Sequence, residues 1–286
     1  MKIVLNALVA TTLLFVACSK EASLENSTSI LPGGNGGNGG GTNNGSRLVQ
    51  MGSKVGADTI TTNFSYDNAG RLTQFRQVGI FSGLPFSATL TFKRNAAGLI
   101  TSTVNKNDAL AQFGLDSVEA FHTYDAANSQ YRYSISRITI FGDTETDSTA
   151  YTYAGGRLTT ATVYTDDGSG YLPVSKVDFS YAGTNLSEMK SYEWDDVSNA
   201  FVLEETVTHE YDNKVNPVSF PTDALVTDME IFYSANNAVK TTTVRTNPAS
   251  TIVRLVTYTY NANNRPLTAV SGNGNIVASR NNYIYQ

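Results

Sequence analysis

From residue 47 onward, apolar and polar side chains alternate with a period of two. Ile60, Thr62, Phe64 and Tyr66 fall on one face of an extended chain, with Ser65 on the other. Ala88, Leu90 and Phe92 repeat the pattern, as do Val177, Phe179 and Tyr181, and Val256, Tyr258 and Tyr260. Thr91, Asp178, Ser180, Thr257 and Thr259 lie opposite. Successive residues of a strand point to opposite faces, so this spacing predicts half-buried antiparallel strands. The stretch 189–207, MKSYEWDDVSNAFVLEETV, reads as a long hairpin turning near Asp195–Asn199. Helical rhythm is nearly absent after residue 46. The best helix candidate, residues 105–117, is interrupted by Gly114 and is expected to be a loop or one short turn.

The strands end on a recurring aromatic. Tyr66, Phe92, Tyr124, Tyr153, Tyr181, Tyr211, Tyr233 and Tyr260 follow one another at 22–32 residues. Each interval holds two strands of about ten residues and their turns. A turn signal follows most of them. After Tyr66 comes Asp67-Asn68-Ala69-Gly70, then Arg71-Leu72-Thr73. Asp accepts hydrogen bonds from amides further along a turn, and Gly takes positive φ without penalty. Gly98, Gly156, Asn185 and Asn264 fall near the same left-handed position in later copies. The pattern predicts an all-β curved antiparallel meander of repeated hairpins, about 14 to 18 strands from ordinary strand lengths. Such a sheet must cover its second face, so it is expected to curl into a partly closed barrel.

The stretch YDNAGRLT resembles the YD repeat of Rhs-type and teneurin-type proteins, and residues 151–159, 209–217 and 258–268 match it in part. That resemblance implies hairpins winding into a long curved sheet. The chain also resembles a group of short outer-membrane lipoproteins of unknown function with degenerate YD-like repeats and a porin-like family label. It is too short to enclose cargo as Rhs shells do, and it ends inside a repeat with NNYIYQ.

The first 46 residues change the picture of location. An apolar run from Ile3 to Val16 follows Lys2, too short for a membrane span but matching a secretory signal. Leu14-Phe15-Val16-Ala17-Cys18 resembles the lipobox of bacterial lipoproteins, which implies cleavage before Cys18 and lipidation of it. Cys18 is the chain's single cysteine, so it has no internal disulfide partner. Residues 18–46, rich in Gly and Asn, read as the lipidated Cys and a flexible tether, and residues 47–286 as one β-hairpin repeat domain. The expected location is the outer membrane, held by lipid, on either its periplasmic or its outer side.

Charge narrows the partners. Removing residues 1–17 takes one Lys from 20 basic residues; 19 against 25 acids gives −6. An acidic surface excludes a nucleic-acid footprint. The search for chemistry is mostly negative. His122 and His209 each stand just before a repeat aromatic, with no Cys and no HExxH spacing, so neither a metal nor a catalytic role is assigned. Acidic loops at 143–147, 165–170 and 195–196 lack the EF-hand order and read as solvated turns. Tyr192 and Trp194 share a face and are the candidate ligand-binding aromatics, a ring platform for sugars.

The expected function is therefore non-enzymatic, without cofactor: a lipid-anchored scaffold or adhesion module binding glycan or a surface protein. Two alternatives stand beside it. One is a porin-like outer-membrane β-barrel, which requires a continuous lipid-facing apolar band, whereas many apolar-face positions here are Thr or Ala. The other is a glycan hydrolase, whose carboxylate pair would be spatial rather than sequential.

Overall fold

The computed structural model describes residues 47–111, 114–115, 117–140, 143–166, 168–219, 233–273 and 276–286. Among the described residues, sixteen strands follow in order: β1 (Leu48–Val55), β2 (Asp58–Tyr66), β3 (Leu72–Phe81), β4 (Leu84–Arg94), β5 (Ile100–Asn107), β6 (Val118–Asp125), β7 (Gln130–Ile140) and β8 (Asp143–Ala154). Then come β9 (Arg157–Asp166), β10 (Tyr171–Ala182), β11 (Asn185–Asp195), β12 (Ala200–Val215), β13 (Asn236–Thr246), β14 (Ala249–Tyr260), β15 (Pro266–Gly272) and β16 (Val277–Tyr285). A single helical turn, α1 (Asp108–Ala111), stands between β5 and β6, within the segment expected to be a loop or short turn.

Each strand pairs antiparallel with its chain neighbours, and β1 pairs with β16 to close the ring. Met51 faces Tyr283 across that seam, and Lys54 faces Arg280. The antiparallel meander expected from the sequence is present. The partial closure is not, because the barrel closes completely. Closure removes two edges of unpaired backbone groups, which an open sheet would leave available for aggregation.

The repeated turn has a physical purpose. Asp67 Oδ1 accepts the amides of Ala69 and Arg71, both at 2.9 Å, and Gly70 closes the bend at φ 79°. Asn95 and Asn261 cap later copies the same way. A β-bulge follows at six of these turns, from Ser65/Tyr66 through Lys93/Arg94 to Thr259/Tyr260, and a seventh at the β12–β13 connection. The extra residue is the second to fourth of the new strand. Where it is Thr101, Thr159 or Ser187, its hydroxyl donates to a carbonyl of the preceding strand at 3.1–3.3 Å. A bulge bends a strand and strengthens its twist, so repetition of the unit curls the sheet at one end.

Two details differ from expectation. Tyr233 does not end a strand; it lies in the connection between β12 and β13, and Tyr285 of β16 completes the series instead. The spacing there is deceptive because that connection happens to be nearly one repeat long. In the turn after Tyr181, positive φ falls on Gly183 rather than Asn185.

Register fixes which face is which. The face carrying Phe64, Phe75, Phe92, Phe179, Tyr258 and Tyr283 turns inward; Phe64, Phe75, Phe92 and Tyr283 belong to one buried cluster, and Phe179 and Tyr258 pack against it. The opposite face is the outer wall. It carries Thr59, Thr61, Asn63 and Ser65 on β2, and Lys176, Asp178 and Ser180 on β10. Ion pairs Lys93–Glu119, Lys176–Asp178, Lys190–Glu188 and Lys240–Glu210 lie there, at 2.6–3.0 Å.

Candidate functional site

The two ends of the barrel differ. The repeated turns and both ends of the described chain meet at one of them, where the Arg47 amide donates to Gln286 and the Gln286 amide to Arg47. Directly inside this end sits the first inward residue after each turn. Leu72 and Leu186 are 0% exposed, and Leu48 and Ile100 1%. An aqueous channel passing this point would wet them. Among the described residues, these side chains form a packed floor at this end of the barrel.

Hydroxyls lock the floor. Tyr66 donates to the Leu48 carbonyl at 2.7 Å, Tyr285 to that of Pro266 at 2.7 Å, and Tyr211 to that of Leu186 at 2.5 Å. Each bond joins strand ends that diverge because their own hairpin turn lies at the opposite end. Burial pushes the Tyr66, Tyr181 and Tyr283 hydroxyls up to about 12. Asp212 gathers the long β12–β13 connection, accepting from the Lys214 and Asn237 amides and from the Tyr260 hydroxyl.

Above the floor, a cavity of about 210 Å³ lies against the inner faces of β12–β16 and β1–β3. Tyr211, Val218, Tyr258 and Tyr283 line its base, and Thr62, Gln77, Thr241 and Asn281 its middle. Ser271, Ser279, Arg254, Asp58 and Phe81 line it toward the mouth. Sequence reasoning did not assign these residues. The available signal was a polar break in an inward face, such as Gln77 two residues after Phe75. What could not be read locally is that β1–β3 and β12–β16 face one cavity.

The histidines are six strands apart, on β6 and β12, and do not meet. His122 shares hydrogen bonds with Ser134 at 2.7 Å and Thr103 at 3.1 Å, and Ser134 continues to Tyr151 at 2.8 Å. His209 borders the cavity and bonds Thr241 at 3.2 Å. Burial lowers both imidazoles to about 4, so both are neutral near pH 7. Among the described residues no cluster of three metal-ligating side chains occurs. The acidic turns cap themselves: Asp166 accepts the Gly168 and Gly170 amides, and Asp195 those of Val197 and Ser198.

Tyr192 and Trp194 stand on the outer wall, paired across strands with Leu203 and Phe201. Trp194 meets Phe201 edge-on at 5.0 Å, and the Lys176 ammonium lies 4.3 Å from the Tyr192 ring. They are together, but on a convex surface outside the lumen. Cys18 and the proposed leader and tether lie outside the described residues.

The fold thus defines a closed, sixteen-strand antiparallel barrel with a packed floor and a lumen cavity. No family model matches the chain, and no curated protein matches it in sequence. Its fold is similar to the crystal structure of a porin-like protein from Bacteroides vulgatus, at 12% identity and TM-score 0.53, over 84% of this chain and 98% of that one. It is similar likewise to a porin-like protein from Bacteroides uniformis, at 16% identity and TM-score 0.52, with the same coverage. These likenesses correct the family reading. The YD-repeat resemblance, in its Rhs, teneurin and lipoprotein forms, is overturned: similar structures are porin-like barrels, and this sheet closes end to end. A polar turn with Gly at its bend serves any hairpin meander, so the motif does not distinguish a wound sheet from a ring. Nor do the findings support the terms lipoprotein and signal peptide. Of the functional readings, the barrel is better supported than the open scaffold.

Proposed function

We propose that this porin-like barrel works by holding a small solute in its lumen. The observation that carries the reading is the floor, where inward Leu72 and Leu186 have no exposure. A blind lumen binds or stores rather than conducts. The outer wall supports a barrel standing in water. Membrane-spanning barrels carry an outward apolar band about 25 Å tall, and an outward Lys or Arg at mid-bilayer costs about 2–4 kcal/mol. Here Lys176, Lys190 and Lys240 lie on that wall near the middle of their strands.

The porin-like neighbours are consistent with an outer-membrane location. Attachment through Cys18 would be the finer form of it. The chain enters the barrel at Arg47, beside the floor. A lipid on Cys18 would then join the barrel at its floor end through residues 19–46. Solute release from vesicles carrying the full chain tests the blind lumen. The expected result is no release above protein-free vesicles; size-limited release would overturn the reading.

A further inference from the structure

We infer that the lumen cavity takes a neutral, hydroxyl-bearing small molecule of saccharide type; this rests on the reading of the barrel as a lumen binder. Its wall is rich in uncharged hydrogen-bonding groups. Thr62 and Gln77 are 1% and 2% exposed, far into the barrel, and Ser271 on β15 and Asn281 on β16 line the same cavity. The Ser271 and Ser279 hydroxyls bond each other at 2.7 Å, which leaves each oxygen further lone-pair capacity. Tyr258, Tyr283 and Phe81 add ring surface to the same cavity.

Charge is sparse. Among the described lining residues Arg254 is the one fixed cation and Asp58 the one carboxylate. Asp58 is committed to the β3–β4 turn, accepting the Ser82 and Gly83 amides at 2.7 and 3.1 Å. An ionic ligand would lose its hydration with little to replace it. A purely apolar ligand would strip water from Asn281 and the Ser271–Ser279 hydroxyls and leave buried polar groups unpaired. A polyol replaces those waters bond for bond and sets its C–H faces against the rings. The volume, below the ~300–1,000 Å³ of sites for drug-sized ligands, suits a small solute.

Titration calorimetry on the full chain tests this with neutral mono- and disaccharides, a hexuronate and a medium-chain fatty alcohol. Ser271→Phe fills the cavity; Asn281→Leu keeps its volume and removes an amide. The expected result is binding of a neutral saccharide, lost in Ser271→Phe and weakened about tenfold in Asn281→Leu, the scale of one unmade buried hydrogen bond. Binding of the fatty alcohol alone, blocked by Ser271→Phe, would overturn the ligand class and leave the lumen reading standing. Binding of the hexuronate alone would overturn it equally. Saccharide binding unchanged in both variants but lost in Trp194→Ala would move the site to the outer wall. Absence of binding by every probe would remove the lumen reading as well. If Ser271→Phe fails to fold, Asn281→Leu decides between these outcomes.

Discussion

Leu186 and Leu255 are both strand leucines, yet register sends them to opposite sides of the wall. Leu186 is 0% exposed beneath the floor hydroxyls, and Leu255 is 41% exposed on the outer surface. Truncating a buried leucine costs about 2–5 kcal/mol, because the cavity left behind closes only partly. Leu186→Ala should therefore lower unfolding free energy in urea by about 3 kcal/mol, and Leu255→Ala by less than about 0.5 kcal/mol. Equal losses would mean the faces are misassigned. Tyr66→Phe keeps the ring and removes the bond to the Leu48 carbonyl. It should cost about 1 kcal/mol in the same assay.

Titration follows from the same residues. Tyr66, Tyr181 and Tyr283 titrate near 12 in the folded chain against about 10 unfolded. Their raised values contribute stability that is complete below pH 10 and is lost as pH rises toward 12. His122 and His209 sit near 4 against about 6.5 unfolded. Their contribution is complete above pH 6.5 and is lost as pH falls to 4. Urea midpoints across pH should show a plateau between these limits. A midpoint flat from pH 4 to 7 would show that the imidazoles are not buried neutral.

At the scale of elements, the turn and its bulge are the unit. Gly98 sits at φ 86° and Asn264 at φ 58° in equivalent turns. Gly98→Ala should destabilise by about 1 kcal/mol, since a Cβ disfavours left-handed backbone, whereas Asn264→Gly should be neutral or slightly stabilising. Thermal melts of the two variants should move apart in that direction. Much of this level was legible in the sequence. The alternation at 60–66 and 256–260 marked strands and grouped their inward residues correctly, and Asp67 with Gly70 marked the bend. Local pattern does not say whether the aromatic face looks into a barrel or onto a second layer. It also misled at Tyr233, where a connection nearly as long as a repeat imitates one. The lumen stayed hidden because it unites Gln77 with Asn281, residues about two hundred positions apart. Their meeting depends on the summed register and tilt of all the strands, a property of the closed ring.

For the whole molecule, the chemistry of the two faces is decisive. The main aromatic cluster gathers inside over a packed floor, while the wall carries Thr, Ser and paired charges together with exposed apolar residues such as Leu255 and the Trp194–Phe201 pair. On the proposed reading, folding is driven by burial into the barrel rather than by lipid, and the lumen above the floor is the space for a ligand. The porin-like neighbours share the ring but do not fix what surrounds it. The most direct measurement is photolabelling of the full chain on vesicles from a probe confined to the hydrocarbon phase, read out by peptide mass. The outer-wall strands β4, β10 and β11, with Lys93, Lys176 and Lys190, should remain unlabelled. Strong labelling of those strands would place the wall in lipid and contradict the account.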